Sequence, residues 1–387
     1  MPDTDIPGIC VVTQPARRET GKNHAYTLLK ILSGITAVSV ITANLSEDSP
    51  IRTEFKTTEF TEKGTGDSIP VAALRFFVNQ VRLCAAIRRT EEEAVLFFGA
   101  SSYVLPVVFS RLIGKTVIVE PRGDVPLSLR LKWENQTADT VARLLAGVVW
   151  SMERVSYYAA TAIITYTPSM ADELGLGRFE NKLYTDGARY VDTEKFDVET
   201  PFEERDDVVG FVGRLDVEKG VDKMVEVAKM MPDEIGFVFV GDGDYKDMIE
   251  SELAEEISSG KVETVGWVDH EEVPRCLNSL KLHLLISDPT EGLPTIILES
   301  FACGTPVYST PVSGVPDLVR EDETGLLMDD KDPESVAKRI ADTFDDRELK
   351  ELSPNCRRTV QEGYSYNAAV KRYSRILEDI SRDNLGL

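Results

Sequence analysis

Apolar residues along this chain follow two alternating patterns. Unbroken runs such as GICVVTQ (8–14), AVSVITAN (37–44), AVLFFGA (94–100), KTVIVEP (115–121) and ATAIITYTP (160–168) read as strands buried on both faces. Between them, AYTLLKILSGI (25–35) and VAALRFFVNQVRLCAAIRRT (71–90) repeat apolar positions every three or four residues and read as helices. The second half repeats the scheme. DVVGFVGRLD (207–216), IGFVFVGDGD (235–244), KVETVGWVD (261–269), LKLHLLISD (280–288) and TPVYSTP (305–311) are strands, with helices over VDKMVEVAKMM (221–231) and YKDMIESELAEEI (245–257). Strand–helix alternation implies an α/β fold with parallel sheets covered on both faces. The apolar pattern lapses over 184–207, where acidic residues begin, so one Rossmann-like domain is expected over 1–190 and a second over 191–363. Two doubly wound domains facing each other place a ligand at the carboxyl ends of strands, in the cleft between them.

Charge sharpens this division. Lys+Arg and Asp+Glu balance at 21 each over residues 1–190 but stand at 22 against 45 over 191–387, so the whole net charge of −23 sits in the second half. That excess disfavours a nucleic-acid partner, because phosphates need a basic footprint. It suits either an acidic, halophilic surface or plain solubility. Five scattered cysteines without a CxxC pair and only three histidines argue for reduced thiols and against a metal site. No apolar run is long enough to span a bilayer, and the start lacks the pattern of a signal peptide, so a cytoplasmic location is expected.

Candidate chemistry gathers after the strands of the second half. In SDPTEGLPTIILES (287–300) the chain turns at DPTEG and enters a helix at Pro294, with Gly304 as its stop. The amides of Leu293, Thr295 and Ile296 at that helix start attract phosphate or sugar oxygens. Glu291 and Glu299 put a carboxylate at each end of such a pocket. Taken alone, they also read as a loop acid and an acid paired with a nearby base. In FVGRLDVEKG (211–220), Gly213 precedes Arg214 and Lys219, two cations on one loop. Arg214 has the fork to grip a diphosphate and Lys219 adds a point charge. Asp242-Gly243-Asp244 spells D-x-D, but Gly241 and Gly243 read more naturally as backbone approach to a ligand than as part of a cation site. Trp267, after Gly266, fits either the floor of a base pocket or an ordinary core.

FVGRLDVEKGVD, FVFVGDGD, VGWVDHEEV, SDPTEGLPTIILESFACGTPVYSTPVSGVPDLV and ETGLLMDDKDPESVAKRI occur in this order. Together they resemble the retaining glycosyltransferases of the GT-B fold, family 4, over about residues 160–345. The resemblance implies a nucleoside diphosphate sugar as co-substrate and no cofactor or metal. It makes 1–190 the acceptor domain and 191–363 the nucleotide-sugar domain, with a helix over 364–387 returning to the first. It gives Arg214 and Lys219 the diphosphate, Glu299 the ribose hydroxyls, and Glu291 the donor sugar, with Gly292 and Leu293 beside it. An epimerase on the same architecture, or a silent sugar-nucleotide-binding subunit, stands as the rival reading.

The first half departs from the family pattern. Where many relatives carry a Gly-Gly pair, only Gly21 is present, with a backbone that would meet the phosphate. Where many carry a histidine, this chain has Pro121-Arg122-Gly123, as do enzymes of polysaccharide and glycan assembly. Arg122 would reach the donor or an anionic acceptor, or else form a salt bridge to Glu120 or Asp124. Two segments mix bulky apolar residues with cations, Leu74–Leu83 and Val125–Trp133. Both fit a membrane surface or a core helix with a solvated basic edge, and the first is read as the core helix. The second reads as an exposed loop meeting the inner face of a membrane, where a glycan or lipid-linked acceptor would be taken.

Overall fold

The structure is a computed structural model that describes residues 6–13, 19–61, 69–101, 103–134, 138–288, 290, 292–345 and 349–385. The chain divides into two units, Met1–Arg189 with Ala369–Leu387, and Tyr190–Ala368. Each unit is built on one parallel sheet with helices around it, the two Rossmann-like sheets that the alternation of strand and helix predicts.

The first sheet contains β1 (Ile9–Val12), β2 (Val38–Thr42), β3 (Lys56–Glu59), β4 (Ala94–Phe98), β5 (Thr116–Glu120), β6 (Ala162–Ile164) and β7 (Leu183–Tyr184), ordered β3-β2-β1-β4-β5-β6-β7. Every residue of β1 and β4 is buried, because helices cover both faces. Helices α1 (Glu19–Ser33) and α2 (Pro50–Glu54) precede β2 and β3, and α3 (Ile69–Ile87), α4 (Val104–Leu112), α5 (Val125–Glu134) and α6 (Asp139–Ala159) follow. Strand order reverses after β3, so right-handed crossovers put α3, α4 and α6 on the face opposite α1. Accordingly α3 packs on α4, α4 on α6, and α5 on α6.

The second sheet contains β8 (Val208–Val212), β9 (Gly236–Val240), β10 (Val262–Gly266), β11 (Leu282–Leu285), β12 (Val307–Ser309) and β13 (Gly325–Leu327). Its order, β10-β9-β8-β11-β12-β13, reverses between β8 and β11, the place where doubly wound sheets bind ligands. His283 on β11 is fully buried there. Its Nε2 accepts the Val212 N–H at 3.3 Å, and burial pushes its pKa down to about 3, so the neutral ring serves as a tie between strands.

Three local expectations need correction. The segment 125–133 is a helix, not a loop: Pro126 stands in its first turn, Asp124 Oδ1 accepts the Leu127 N–H at 2.8 Å, and Leu127, Leu129, Leu131 and Trp133 are half-buried. The helix read over 245–257 is two, Lys246–Glu252 and Ala254–Ser259, broken at the fully buried Leu253, whose backbone leaves the helical region. Over Leu74–Leu83 the apolar row faces solvent rather than the core, as taken up below.

The last helix, Tyr366–Leu385, is joined to the first sheet by polar contacts. The Tyr373 hydroxyl donates to the Glu120 carboxylate at the end of β5, and the Tyr184 hydroxyl donates to Asp383 at 3.1 Å.

Candidate functional site

The carboxyl ends of the second sheet are joined backbone to backbone. Beyond β8, the Gly213 N–H donates to Val240 O at 3.0 Å and the Leu215 N–H to Asp242 O at 3.0 Å. Beyond β9, the Gly241 N–H donates to Gly266 O at 2.8 Å. Only glycine permits this closeness. A Cβ on Gly241 would lie 1.8 Å from Gly213 O, and one on Gly243 would lie 2.5 Å from Leu215 O. Gly220, at φ +67°, brings the β8 loop against β11, where a Cβ would lie 2.4 Å from Ile286 O. The Asp288 N–H then donates to Glu218 O at 2.9 Å, and the Gly314 N–H to Gly292 O at 2.8 Å. The loops after β8, β9, β11 and β12 therefore form one rim at the switch point.

Charge on this rim is arranged. Arg214 is held by Asp216 and Glu218, each through one nitrogen of its guanidinium fork. Lys219 ends the short 3₁₀ turn Val217–Lys219 and is only 9% exposed. Holding Arg214 between two acids keeps its fork in place. Lys331 is a cation that sequence reasoning missed: its Nζ donates to Asp288 Oδ1 at 2.8 Å and to Ser287 O at 3.2 Å. Its position 43 residues beyond Asp288 gives no local signal of that contact.

The loop after β11 enters the helix Thr295–Ala302, with Pro294 at the cap, one residue before the first turn expected for it, and no side-chain cap bond. Gly292, Leu293 and Pro294 are buried at this helix start, and Thr295 opens the helix. The far end is fixed by Gly304 at φ +69° and by the buried Arg205, whose guanidinium donates to Cys303 O and Thr305 Oγ1 at 2.7 Å each. A cation at the helix end complements its dipole and holds its start in place. Glu299 lies one turn in and is 9% exposed. Its Oε1 meets His270 Nε2 at 3.1 Å, and His270 Nδ1 meets Lys195 Nζ at 2.9 Å. Glu299 thus pairs with a base, the alternative left open by the sequence; its partners in the Lys195–His270–Glu299 chain were missed, because they lie 75 and 29 positions apart in turn.

Glu291 lies outside the described residues. The structure brings Gly213, Arg214, Lys219, Gly241, Gly243, Gly292, Leu293, Pro294 and Thr295 to the rim, with Glu299 on the helix that leaves it. Trp267 follows β10 at the sheet edge with 65% of its surface exposed, so it is not a core residue. Asp242 Oδ1 accepts the Gly243 N–H at 3.0 Å, and among the described residues no three His, Cys, Asp or Glu side chains are grouped to hold a metal.

The remaining two candidates belong to the first unit. Gly21 falls in the first turn of α1. Arg122 follows β5, stacks 5.0 Å from the Phe98 ring and approaches His24 Nδ1 at 3.4 Å. The alternative of a salt bridge does not hold among the described residues: Glu120 takes the Tyr373 hydroxyl and Asp124 caps α5. Burial lowers the Arg122 pKa and raises that of Glu120 against the opposing hydroxyls and cations.

Beside this loop, Glu153 on α6 is buried. Desolvation first, then the Asp124 charge, push its pKa from 4.5 up to about 8, with Arg154 opposing. The folded chain thus keeps a proton that the unfolded chain releases. Stability is expected to fall as pH rises from about 4.5 to about 8 and to be flat on either side for this group. Glu153→Gln should remove that slope and unfold at higher urea than the parent at pH 8, with near-equal midpoints at pH 4.5. Urea midpoints measured across this range check the sign.

The second parallel sheet, with its switch-point rim, and the sheet of the first unit are the two Rossmann-like sheets of a GT-B fold. Residues 192–362 match the family model described as glycosyl transferases group 1. It is 29% identical over 231 residues to the lipopolysaccharide core biosynthesis glycosyltransferase LpsE of Rhizobium meliloti, covering 58% of this chain and 66% of that protein. It is 26% identical over 298 residues to the alpha-D-kanosaminyltransferase of Streptomyces kanamyceticus, covering 73% of this chain and 75% of that one. Among solved structures, Anabaena HepE in complex with UDP and glucose superposes with a TM-score of 0.69 at 14% identity, over 96% of this chain and 99% of HepE.

Proposed function

We propose that this chain is a retaining, metal-independent glycosyltransferase that moves a sugar from a nucleoside diphosphate sugar to a glycan acceptor carried on a lipid. The observation that carries the reading is Arg214, fixed by Asp216 and Glu218, beside the buried Lys219 at the carboxyl end of β8. Departure of a sugar leaves negative charge on the diphosphate. Two positioned cations and a helix start stabilise that charge without a metal. The reading gives Glu299 the ribose hydroxyls, and Glu291, which lies outside the described residues, the donor sugar. On the retaining course, the bond from the anomeric carbon to the diphosphate breaks while the acceptor oxygen bonds to that carbon from the same face. The leaving phosphate oxygen takes the acceptor proton. HepE was solved with UDP and glucose, which favours a UDP-sugar donor here. LpsE acts in lipopolysaccharide core biosynthesis, which favours an acceptor on a lipid at the inner membrane face.

A donor that binds only the folded state raises its stability by about 2.7 kcal/mol at a hundredfold excess over Kd. Thermal melts with UDP, GDP and ADP should show a shift for one of them, UDP first. Labelled sugar should then appear in an acceptor glycolipid. Absence of any shift with all three nucleotides removes the proposal, and an isomerised free donor in place of labelled glycolipid makes the protein an epimerase.

A further inference from the structure

Three helices on one face of the first unit turn apolar residues outward. On α3 the exposed row is Leu74, Phe77, Val78 and Val81, with Phe77 67% exposed, while Gln80, Leu83 and Ile87 are buried on the opposite side. On α4 the exposed residues are Leu105 and Leu112, the latter at 80%. On α6 they are Leu144, at 70%, with Val148 and Val155. These positions recur at three, four and seven residues, so each helix presents a continuous stripe and not scattered side chains. Because α3 packs on α4 and α4 on α6 on the same side of the sheet, the stripes lie side by side. A helix apolar on both faces belongs against protein or lipid.

Charge selects the occupant. Residues 1–190 are neutral as a whole, yet α3 and α4 carry Arg75, Arg82 and Arg111 and no acid. On α6, Arg143 and Arg154 stand against Asp139 and the buried Glu153. Arg88 and Arg89 follow α3, ahead of Glu91, Glu92 and Glu93. Arg75 and Arg82 are seven residues apart on one edge of the α3 stripe, and Arg89 follows in the turn after the helix. A second copy would bring the same arginines against these. An acidic phospholipid surface offers hydrocarbon to the stripe and phosphate to its edge. Among the described residues no helix is long and apolar enough to cross a membrane, so contact would be along the surface.

We infer that the α3–α4–α6 face is a docking surface for an anionic lipid bilayer, with α3 and α6 inserting Phe77 and Leu144 and the arginine edge meeting phosphates. The face replaces the 125–133 segment, whose apolar residues are half-buried beside α6. The inference deepens the lipid-linked reading of the acceptor by saying where the bilayer is met. Its test needs no sugar transfer.

The full chain should float with vesicles of phosphatidylcholine and phosphatidylglycerol, not with phosphatidylcholine alone, and release as salt rises. Phe77→Glu with Leu144→Glu, and separately Arg82→Glu with Arg89→Glu, should each weaken flotation by about tenfold or more. These positions are exposed, so circular dichroism and melting should match the parent. Transfer to a water-soluble acceptor should also be unchanged, which separates failure of docking from failure of the transferase reading. Absence of flotation in the parent, or equal flotation in the variants, overturns the inference. So does a dimer in sedimentation that the Phe77→Glu, Leu144→Glu variant abolishes, since the face would then belong to a second copy.

Discussion

Lys219→Ala is expected to lower kcat for sugar transfer by about 10²–10³-fold, the range found when one preorganised charge-stabilising donor is removed from an active site. Lys219 sits on a turn whose backbone is fixed at both ends. Its own N–H donates to Asp216 O at 3.0 Å, and Gly220 follows in the left-handed region against Ile286. At 9% exposure the residue is largely buried, and a charge in such a site interacts more strongly with a developing anion than one in open water. The diphosphate carries more charge on the leaving oxygen in the transition state than in the ground state. The loss should therefore fall on kcat and kcat/KM together and leave KM little changed. Lys219→Arg should not rescue, because a planar fork does not fit a site shaped for a compact ammonium. Arg214→Ala should cost a similar factor and also leave Asp216 and Glu218 facing each other without their cation. The two losses should be less than additive, since both act on one group. Transfer assays beside melting curves check this. Parental kcat in Lys219→Ala with an unchanged melt contradicts the assignment.

The sequence makes some of this visible for a physical reason. Strands β1, β4, β8 and β9 lie inside parallel sheets, so their residues form unbroken apolar runs. The edge strand β3, KTTE, has no such run, and β7 and β13 are too short to show one. Glycines at 220, 241 and 243 stand out in the sequence because backbone crossings admit nothing larger. What each glycine crosses is legible only in the fold, as with Gly220 and Ile286 O. Contacts made across long separations left no mark. The Lys195–His270–Glu299 chain and the Lys331–Asp288 pair depend on loops brought together by the sheet. Helical period placed α3 correctly but could not tell its outer face from its inner one, because both are apolar. The break at Leu253 comes from packing of that buried side chain in a stretch with no glycine or proline.

Gly241→Ala tests whether the rim is held by backbone closeness. Gly241 is at φ +143°, and its added Cβ would stand 1.8 Å from Gly213 O, closer than any repacking of side chains can relieve. Either β9 or the β8 loop must move. Movement strains the hydrogen bonds from the Gly213 N–H to Val240 O and from the Gly241 N–H to Gly266 O. Backbone strain of about 1–3 kcal/mol, with about 1 kcal/mol for each weakened hydrogen bond, gives a loss of about 3–5 kcal/mol. Gly260→Ala is the control. It too has a left-handed φ, +80°, but nothing within 4 Å of its added Cβ, so it should lose only about 1 kcal/mol. At about 2–4 °C per kcal/mol, the melt of the second unit should fall by roughly 6–20 °C for Gly241→Ala and by a few degrees for Gly260→Ala. The displaced Gly213 also carries Arg214, so the surviving Gly241→Ala fold should lose the nucleotide-induced shift in melting that Gly260→Ala retains. Scanning calorimetry with and without UDP reads both effects. Equal melts for the two variants would show that the rim yields easily, and the crossing of Gly241 over Gly213 would then not be what fixes the arginine.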